Sequence, residues 1–309
     1  MLVRKLASVP GTPVRYWFDS ELGEIFGVAE RPSASNADAL YDQIRDRLSE
    51  PSFRPQALLD RFGIEILATT DDPADDLAAH EALGQDASVR TRVVPTFRPD
   101  RYLEPLRSGW VAAVKQLGAT ANTDIGDYAG YVEALEDRRQ VLPVPRCDLI
   151  GPQPPRRDRR AAEPREAQRI YTLAMKGAVT AQEATAFRRH MVLEMARMSC
   201  EDGLVMTLHP GVWRNHHPET YARYGADTGH DIPVTVEFHQ GAPAAVGALR
   251  NHPNLHLVLF TVDADVFQPR DRTTCRLLPV GIRGRTLVVL GQPLRNTLVS
   301  SDRSPKSLA

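Results

Sequence analysis

The chain has 309 residues, 42% of them hydrophobic and 25% charged, with 38 Lys and Arg against 39 Asp and Glu. That is an ordinary globular balance, and it excludes a net positive field able to hold a nucleic acid or an anionic membrane. Cys147, Cys200 and Cys275 form no Cys-x-x-Cys pair, and Pro10, Gly11 and Pro13 interrupt the N-terminus before a signal peptide develops, so the expectation is a cytoplasmic protein with neither membrane nor nucleic acid as partner.

In chain order, Trp17, Phe18, Leu22, Ile25 and Phe26 fall at helical spacing within residues 14–28. Ser35 and Asn36 are placed to cap a helix running to Leu48, and FRPQALLDRF at 53–62 reads as a short helix with Pro55 in its first turn. The period then changes. GIEILATT is a short apolar run followed at once by the helical DDPADDLAAHEAL, and the same alternation recurs at RVVPTFRPD with WVAAVKQLG, at GLVMTLHPG, at IPVTVEF and at NLHLVLFTVD. Short buried strands separated by helices predict an α/β fold with parallel strands. Residues 141–163 and those beyond Phe267 carry neither period; by composition alone they read as flexible basic segments.

Side chains just past the C-terminal ends of parallel strands are the ones placed for chemistry, and here they are polar. TTDDP offers Asp71 and Asp72, PTFRPD offers Arg98 and Asp100, TLHPG offers His209, and TVDAD offers Asp263 and Asp265. Arg98, between Pro95 and Pro99, suits bidentate capture of a carboxylate or, alternatively, a surface ion pair. His209 is a candidate metal ligand or acid/base, or else a hydrogen-bonded core histidine. RNHHPETYARYGADTGHDIP gathers Arg214, His216, His217, Asp227, His230 and Asp231, either to face one ion or as a solvated loop. Asp71 and Asp72 before Pro73 also fit a helix start.

Taken in order, FGIEILATTDDPADDLAAH, RVVPTFRPD, EMARMSCEDGLVMTLHPGVWRNHH, DTGHDIP and HPNLHLVLFTVD resemble the uronate (glucuronate) isomerase family, over roughly residues 10–140 and 164–267. The resemblance implies an incomplete, distorted (β/α)8 TIM-type barrel of the amidohydrolase type, with an added helical region at its N-terminal end. Its layout is a helical region at 1–62 and a partial barrel at 63–267, interrupted by the Pro/Arg-rich segment 141–163, with 268–309 an expected disordered tail outside the family. It implies conversion of D-glucuronate to D-fructuronate, and of D-galacturonate to D-tagaturonate, by metal-assisted proton transfer through an enediol. The cofactor implied is a divalent metal, zinc, and the partners are a uronic acid and further copies of the chain in a homo-oligomer. By the same resemblance His209, Asp227 and His230 are catalytic, His209 also a metal ligand, and Arg98, Arg214 and Asp71 bind substrate.

Two departures accompany it. The family's N-terminal His-x-His pair has no counterpart before His80, and its Trp-Trp strand with a metal-binding aspartate has none after Phe267, where Asp271 and Asp302 are the acids. The expectation is therefore an incomplete metal site and impaired or absent activity, the alternative being a non-catalytic remnant or a weak uronate-binding partial barrel. The resemblance lapses near residue 141, returns at EPREAQRIY and ends near residue 268, which leads to the expectation of a truncated chain with two reading-frame changes, the first of them restored.

Overall fold

A computed structural model describes residues 11, 13–142, 144–145, 163–208, 212–225, 228–234 and 252–259. The expected tail at 268–309, and nearly all of the 141–163 segment, lie outside the described residues. Of those described, the residues up to Leu67 together with Glu81–Val93 form one compact unit, and Ala68–His80 with the residues from Val94 onward form a second.

In the first unit, α1 (Pro13–Ser20) opens on a proline, which is suited to a first turn because its missing N–H is not needed there. It widens into a single π-type turn at Glu21–Ile25 and closes at Gly27, whose φ of 69° an L side chain adopts only under strain. Leu22, Val28 and Leu40 are buried together, with Phe18, Phe26 and Ile44 against them. Leu40 and Ile44 come from α2 (Ala37–Leu48). Asn36 does sit at the N-cap of α2, but its side-chain oxygen accepts the Ser33 N–H at 2.8 Å instead of a first-turn amide. The cap expected from the sequence is thus spent on the preceding loop. After a short turn at Pro51–Phe53, α3 (Pro55–Arg61) follows the predicted span, and Phe53 stacks on Phe26 with ring centroids 5.3 Å apart.

The predicted strand in FGIEILATT condenses to β1 (Ile66–Ala68), where Ile66 and Leu67 are 60% and 40% exposed, unlike the buried strands expected. Next comes α4 (Ala78–Gln85), and then β2 (Arg92–Val94), which pairs with β1. RVVPTF does not form one strand: Pro95 lacks the N–H a ladder needs, and β3 (Thr96–Phe97) begins after it. In the second unit β3 pairs in parallel with β4 (Val144–Pro145), in the register Thr96 to Val144 and Phe97 to Pro145.

The second unit's core lies among α5 (Trp110–Ala121), α6 (Tyr128–Val141), α7 (Pro164–Met175) and α8 (Ala181–Asp202). Trp110 meets Tyr171 edge-on at 5.9 Å and Tyr131 stacks on Tyr171 at 5.0 Å, all three within 2% exposure or less. Such aromatic pairs add about 0.5–1.5 kcal/mol beyond their burial. The polar ends are satisfied too. The Trp110 indole N–H donates to the Tyr102 carbonyl at 2.6 Å and the Tyr131 hydroxyl donates to the same oxygen at 2.9 Å, fixing the short turn Asp100–Tyr102 that follows Arg98. Close packing at the start of α6 requires a glycine, since a Cβ on Gly130 would stand 1.8 Å from the Asp124 carbonyl oxygen. A reciprocal Thr180 and Glu183 cap opens α8, and Gly203 at φ 72° closes it.

Beyond α8, β5 (Met206–Leu208) is the strand predicted in GLVMTLHPG. The IPVTVEF segment departs from the predicted parallel repeat. β6 (Val212–Trp213) runs antiparallel to β7 (Ile232–Pro233), with α9 (Pro218–Tyr224) between them. The cause is local: Asn215 and His230 both take positive φ, 54° and 61°, and turn the chain back, and the His216 N–H extends the ladder to the His230 carbonyl at 3.2 Å. Finally β8 (Leu257–Leu259) pairs in parallel with β5. Parallel pairing with intervening helices bears out the α/β class.

Candidate active site

Asp71 follows β1 and makes a parallel bridge with Phe97, the last residue of β3 and the neighbour of Arg98. Two motifs 25 residues apart in sequence, TTDDP and PTFRPD, are thereby brought side by side at strand ends. The Asp71 side chain is nearly buried, and its Oδ2 accepts the Thr96 backbone N–H at 2.8 Å and the Thr69 hydroxyl at 2.7 Å. Thr69 Oγ1 also lies 2.7 Å from His80 Nε2, and His80 Nε2 stands 3.6 Å from Asp71 Oδ1.

Asp72 turns elsewhere. It accepts the Ala74 N–H at 2.9 Å, the Arg101 guanidinium at 2.7 Å and the Tyr102 hydroxyl in a short hydrogen bond. Burial, and then the bond to Asp72, hold the Tyr102 phenol far above its ordinary range, so it keeps the proton that it donates to Asp72. The helix-start reading of these aspartates fits Asp72 in part, because α4 itself begins only at Ala78, after Leu77 at φ 59°. Arg98 Nε lies 3.3 Å from Asp100 Oδ2, with about a third of the arginine side chain exposed.

The second set of predicted residues occupies the loop between β6 and β7. Arg214 pairs with Asp231 at 3.2 Å, and Asp231 also accepts the Asn215 N–H at 3.1 Å. His216 Nδ1 makes a short contact to the His230 carbonyl, which can only accept, so that nitrogen carries its proton. His217 Nδ1 accepts the Thr220 N–H at 3.2 Å, which places the neutral ring's proton on Nε2. The His217 and His230 rings stack at 4.7 Å, and His230 Nε2 lies 3.3 Å from the Thr220 hydroxyl. Adjacent histidines do converge in this loop, as only a non-helical, non-strand backbone allows.

His209 and Asp227 lie outside the described residues, so the metal-ligand and catalytic assignments to them do too. Among the described residues no three histidine, cysteine or acidic side chains gather closely enough to hold a metal ion. These residues do not by themselves fit the divalent ion expected. Sequence reasoning also missed Thr69 and His80 as partners of Asp71. The signal for Thr69 was its place two residues before Asp71, which keeps both on one face of extended chain; His80 had none, because an intervening turn brings it back.

Comparison with known proteins places these motifs in context. The glucuronate isomerase family profile matches residues 2–266. A uronate isomerase of Cutibacterium acnes is 40% identical over 259 residues, covering 83% of this chain and 54% of that protein. One from Rhizorhabdus wittichii is 39% identical over 257 residues, covering 83% and 55%. The crystal structure of glucuronate isomerase from Caulobacter crescentus matches with a TM-score of 0.82 at 32% identity, over 90% of this chain and 58% of that one. A uronate isomerase from Thermotoga maritima has the same fold, with a TM-score of 0.81 at 22% identity over 94% and 62%. The chain spans about half the length of the curated relatives it matches.

Proposed function

This chain belongs to the glucuronate isomerase family, and we propose from that premise that it serves an aldose to ketose isomerase acting on D-glucuronate, giving D-fructuronate, and on D-galacturonate, giving D-tagaturonate. The observation that carries the reading to particular residues is the Asp71 to Phe97 bridge, which brings the ends of the TTDDP and PTFRPD segments together with the Asp71 carboxylate nearly buried. Arg98 then binds the carboxylate of the uronic acid, and Asp71 accepts a sugar hydroxyl. Arg214 and His230 contribute polar contacts to the sugar from the β6–β7 loop. The reaction removes a proton from C2 and returns one to C1, so it needs a base with a fixed position over C2. Asp227 and His209, outside the described residues, complete the catalytic set in this proposal, and His209 is the ligand assigned to a divalent metal, zinc.

The proposal extends to the distorted (β/α)8 barrel, a homo-oligomer and a cytoplasmic location. Among the described residues no helix is long and apolar enough to cross a membrane. The test is an assay on purified protein with zinc or manganese and D-glucuronate, following formation of the keto sugar, with uronate binding measured in parallel. The expected result is uronate binding that Arg98→Ala weakens by about 100-fold, the cost of a charge-assisted carboxylate contact, with keto-sugar formation impaired in this chain. Absence of both product and uronate binding overturns the reading, and uronate binding retained without product would leave a uronate-binding partial barrel in its place.

A further inference from the structure

With Asp71 as a carboxylate, one arrangement of protons satisfies the shortest contacts around it. Thr69 Oγ1 has a single proton and faces two groups, Asp71 Oδ2 at 2.7 Å and His80 Nε2 at 2.7 Å. An ionised carboxylate has nothing to donate, so the hydroxyl proton must point to Asp71. The same oxygen then offers only lone pairs to His80, which must supply the proton of that contact from Nε2. The opposite arrangement, with the hydroxyl donating to a bare His80 Nε2, would press its lone pairs against a carboxylate oxygen in a nearly closed setting. Thr69 Oγ1 also lies 3.3 Å from the Val94 carbonyl, a longer and weaker outlet for the same proton.

We propose that His80 is a positioning residue that acts through Thr69 to orient Asp71 as a pure hydrogen-bond acceptor for a sugar hydroxyl. The inference rests on the reading of Asp71 as a substrate-binding residue. Asp71 Oδ2 is fully engaged by Thr69 and the Thr96 N–H. Among the described residues, Oδ1 has His80 Nε2 at 3.6 Å and no donor nearer. Oδ1 is therefore the oxygen presented to substrate. With side-chain exposures of 16% for His80 and 10% for Asp71, bulk water does not easily replace the missing member of the chain. A carboxylate that is held by two donors on one oxygen cannot rotate to exchange its oxygens, so the direction of its remaining lone pairs is set before the sugar arrives.

The experiment uses the whole chain, labelled with nitrogen-15 in histidine, and reads the His80 ring by nuclear magnetic resonance alongside the dissociation constant for D-glucuronate. His80→Gln identifies the His80 signals, Thr69→Val removes the relay, and Thr69→Ser preserves it. The expected results are a His80 proton on Nε2, uronate binding weakened about tenfold by Thr69→Val, as for a lost hydrogen bond to a charged group, and binding restored by Thr69→Ser. A neutral His80 with its proton on Nδ1 overturns the proposal. So does uronate binding that Thr69→Val leaves unchanged while Arg98→Ala weakens it, an outcome that keeps the isomerase reading intact. If the unaltered chain binds no uronate, the substrate-binding reading fails and takes the sugar-facing role of Asp71 with it, while the ring signals in the same samples show separately whether the His80 to Thr69 ordering exists.

Discussion

Asp71 takes its hydrogen bonds from Thr69 and from Thr96, 25 residues away, and neighbouring Asp72 reaches Tyr102, 30 residues away. His230 is exposed and finds its partners, His216 and Thr220, within 14 residues. The two clusters use similar chemistry in different surroundings. Around Asp71 water is scarce, and the chain supplies Oδ2 with partners from both near and distant segments. Around His230 water completes what the loop leaves unmade, and local turns with positive φ are enough to hold the rings together.

That contrast can be broken by removing one group from each side. The largest effect is expected at Asp71→Ala, which leaves the Thr96 N–H without its acceptor in a closed site. Urea unfolding should show a loss of about 2–3 kcal/mol, and a loss below about 0.5 kcal/mol would mean that water reaches the site and that the contrast is false. An intermediate case is the cap of α8, exposed but geometrically exact, where Thr180→Ala should cost about 1 kcal/mol. The Thr180 backbone N–H, then Arg169, then the Thr180 hydroxyl lower the Glu183 carboxyl from 4.5 to about 2. Because the folded value lies below the unfolded one, the stability this carboxylate contributes is complete above about pH 4.5 and is lost as pH falls towards 2. Unfolding curves of the protein and of Glu183→Gln should converge over that interval, and a constant difference would show that the carboxylate's charge is not what the cap uses. The smallest effect is expected at Arg214→Ala, which removes a half-exposed ion pair at 3.2 Å. A change within about 0.5 kcal/mol is expected by the same melts, and a larger one would show the β6–β7 loop to be ordered from within.

Local signals were legible where they act locally. The periodicity that predicts α2, α3 and α5 depends on residues three and four apart, which the sequence displays directly, and Pro55 and Trp110 mark starts that the fold keeps. Asn36 shows the limit of such reading, since a residue suited to a cap can satisfy a loop amide as readily. Pro95 could have announced the split of RVVPTF, because a residue without an N–H interrupts a ladder, whereas the reversal between β6 and β7 turns on positive φ at Asn215 and His230 that no periodicity displays. For the site, strand-end position singled out Asp71 and Arg98 as neighbours of the chemistry, and the bridge at Phe97 brings them together. His80 escaped notice because its relation to Asp71 exists only after the turn through Leu77 has formed.

The carbonyl of Tyr102, which receives both the Trp110 indole N–H and the Tyr131 hydroxyl, gives the molecule a built-in optical reporter. Of the three tryptophans, Trp17 and Trp213 are 39% and 52% exposed and Trp110 is 2% exposed. The bluest emission is therefore expected from Trp110. Its intensity and wavelength follow the turn that ends at Tyr102, only a few residues past Arg98, without any label being attached.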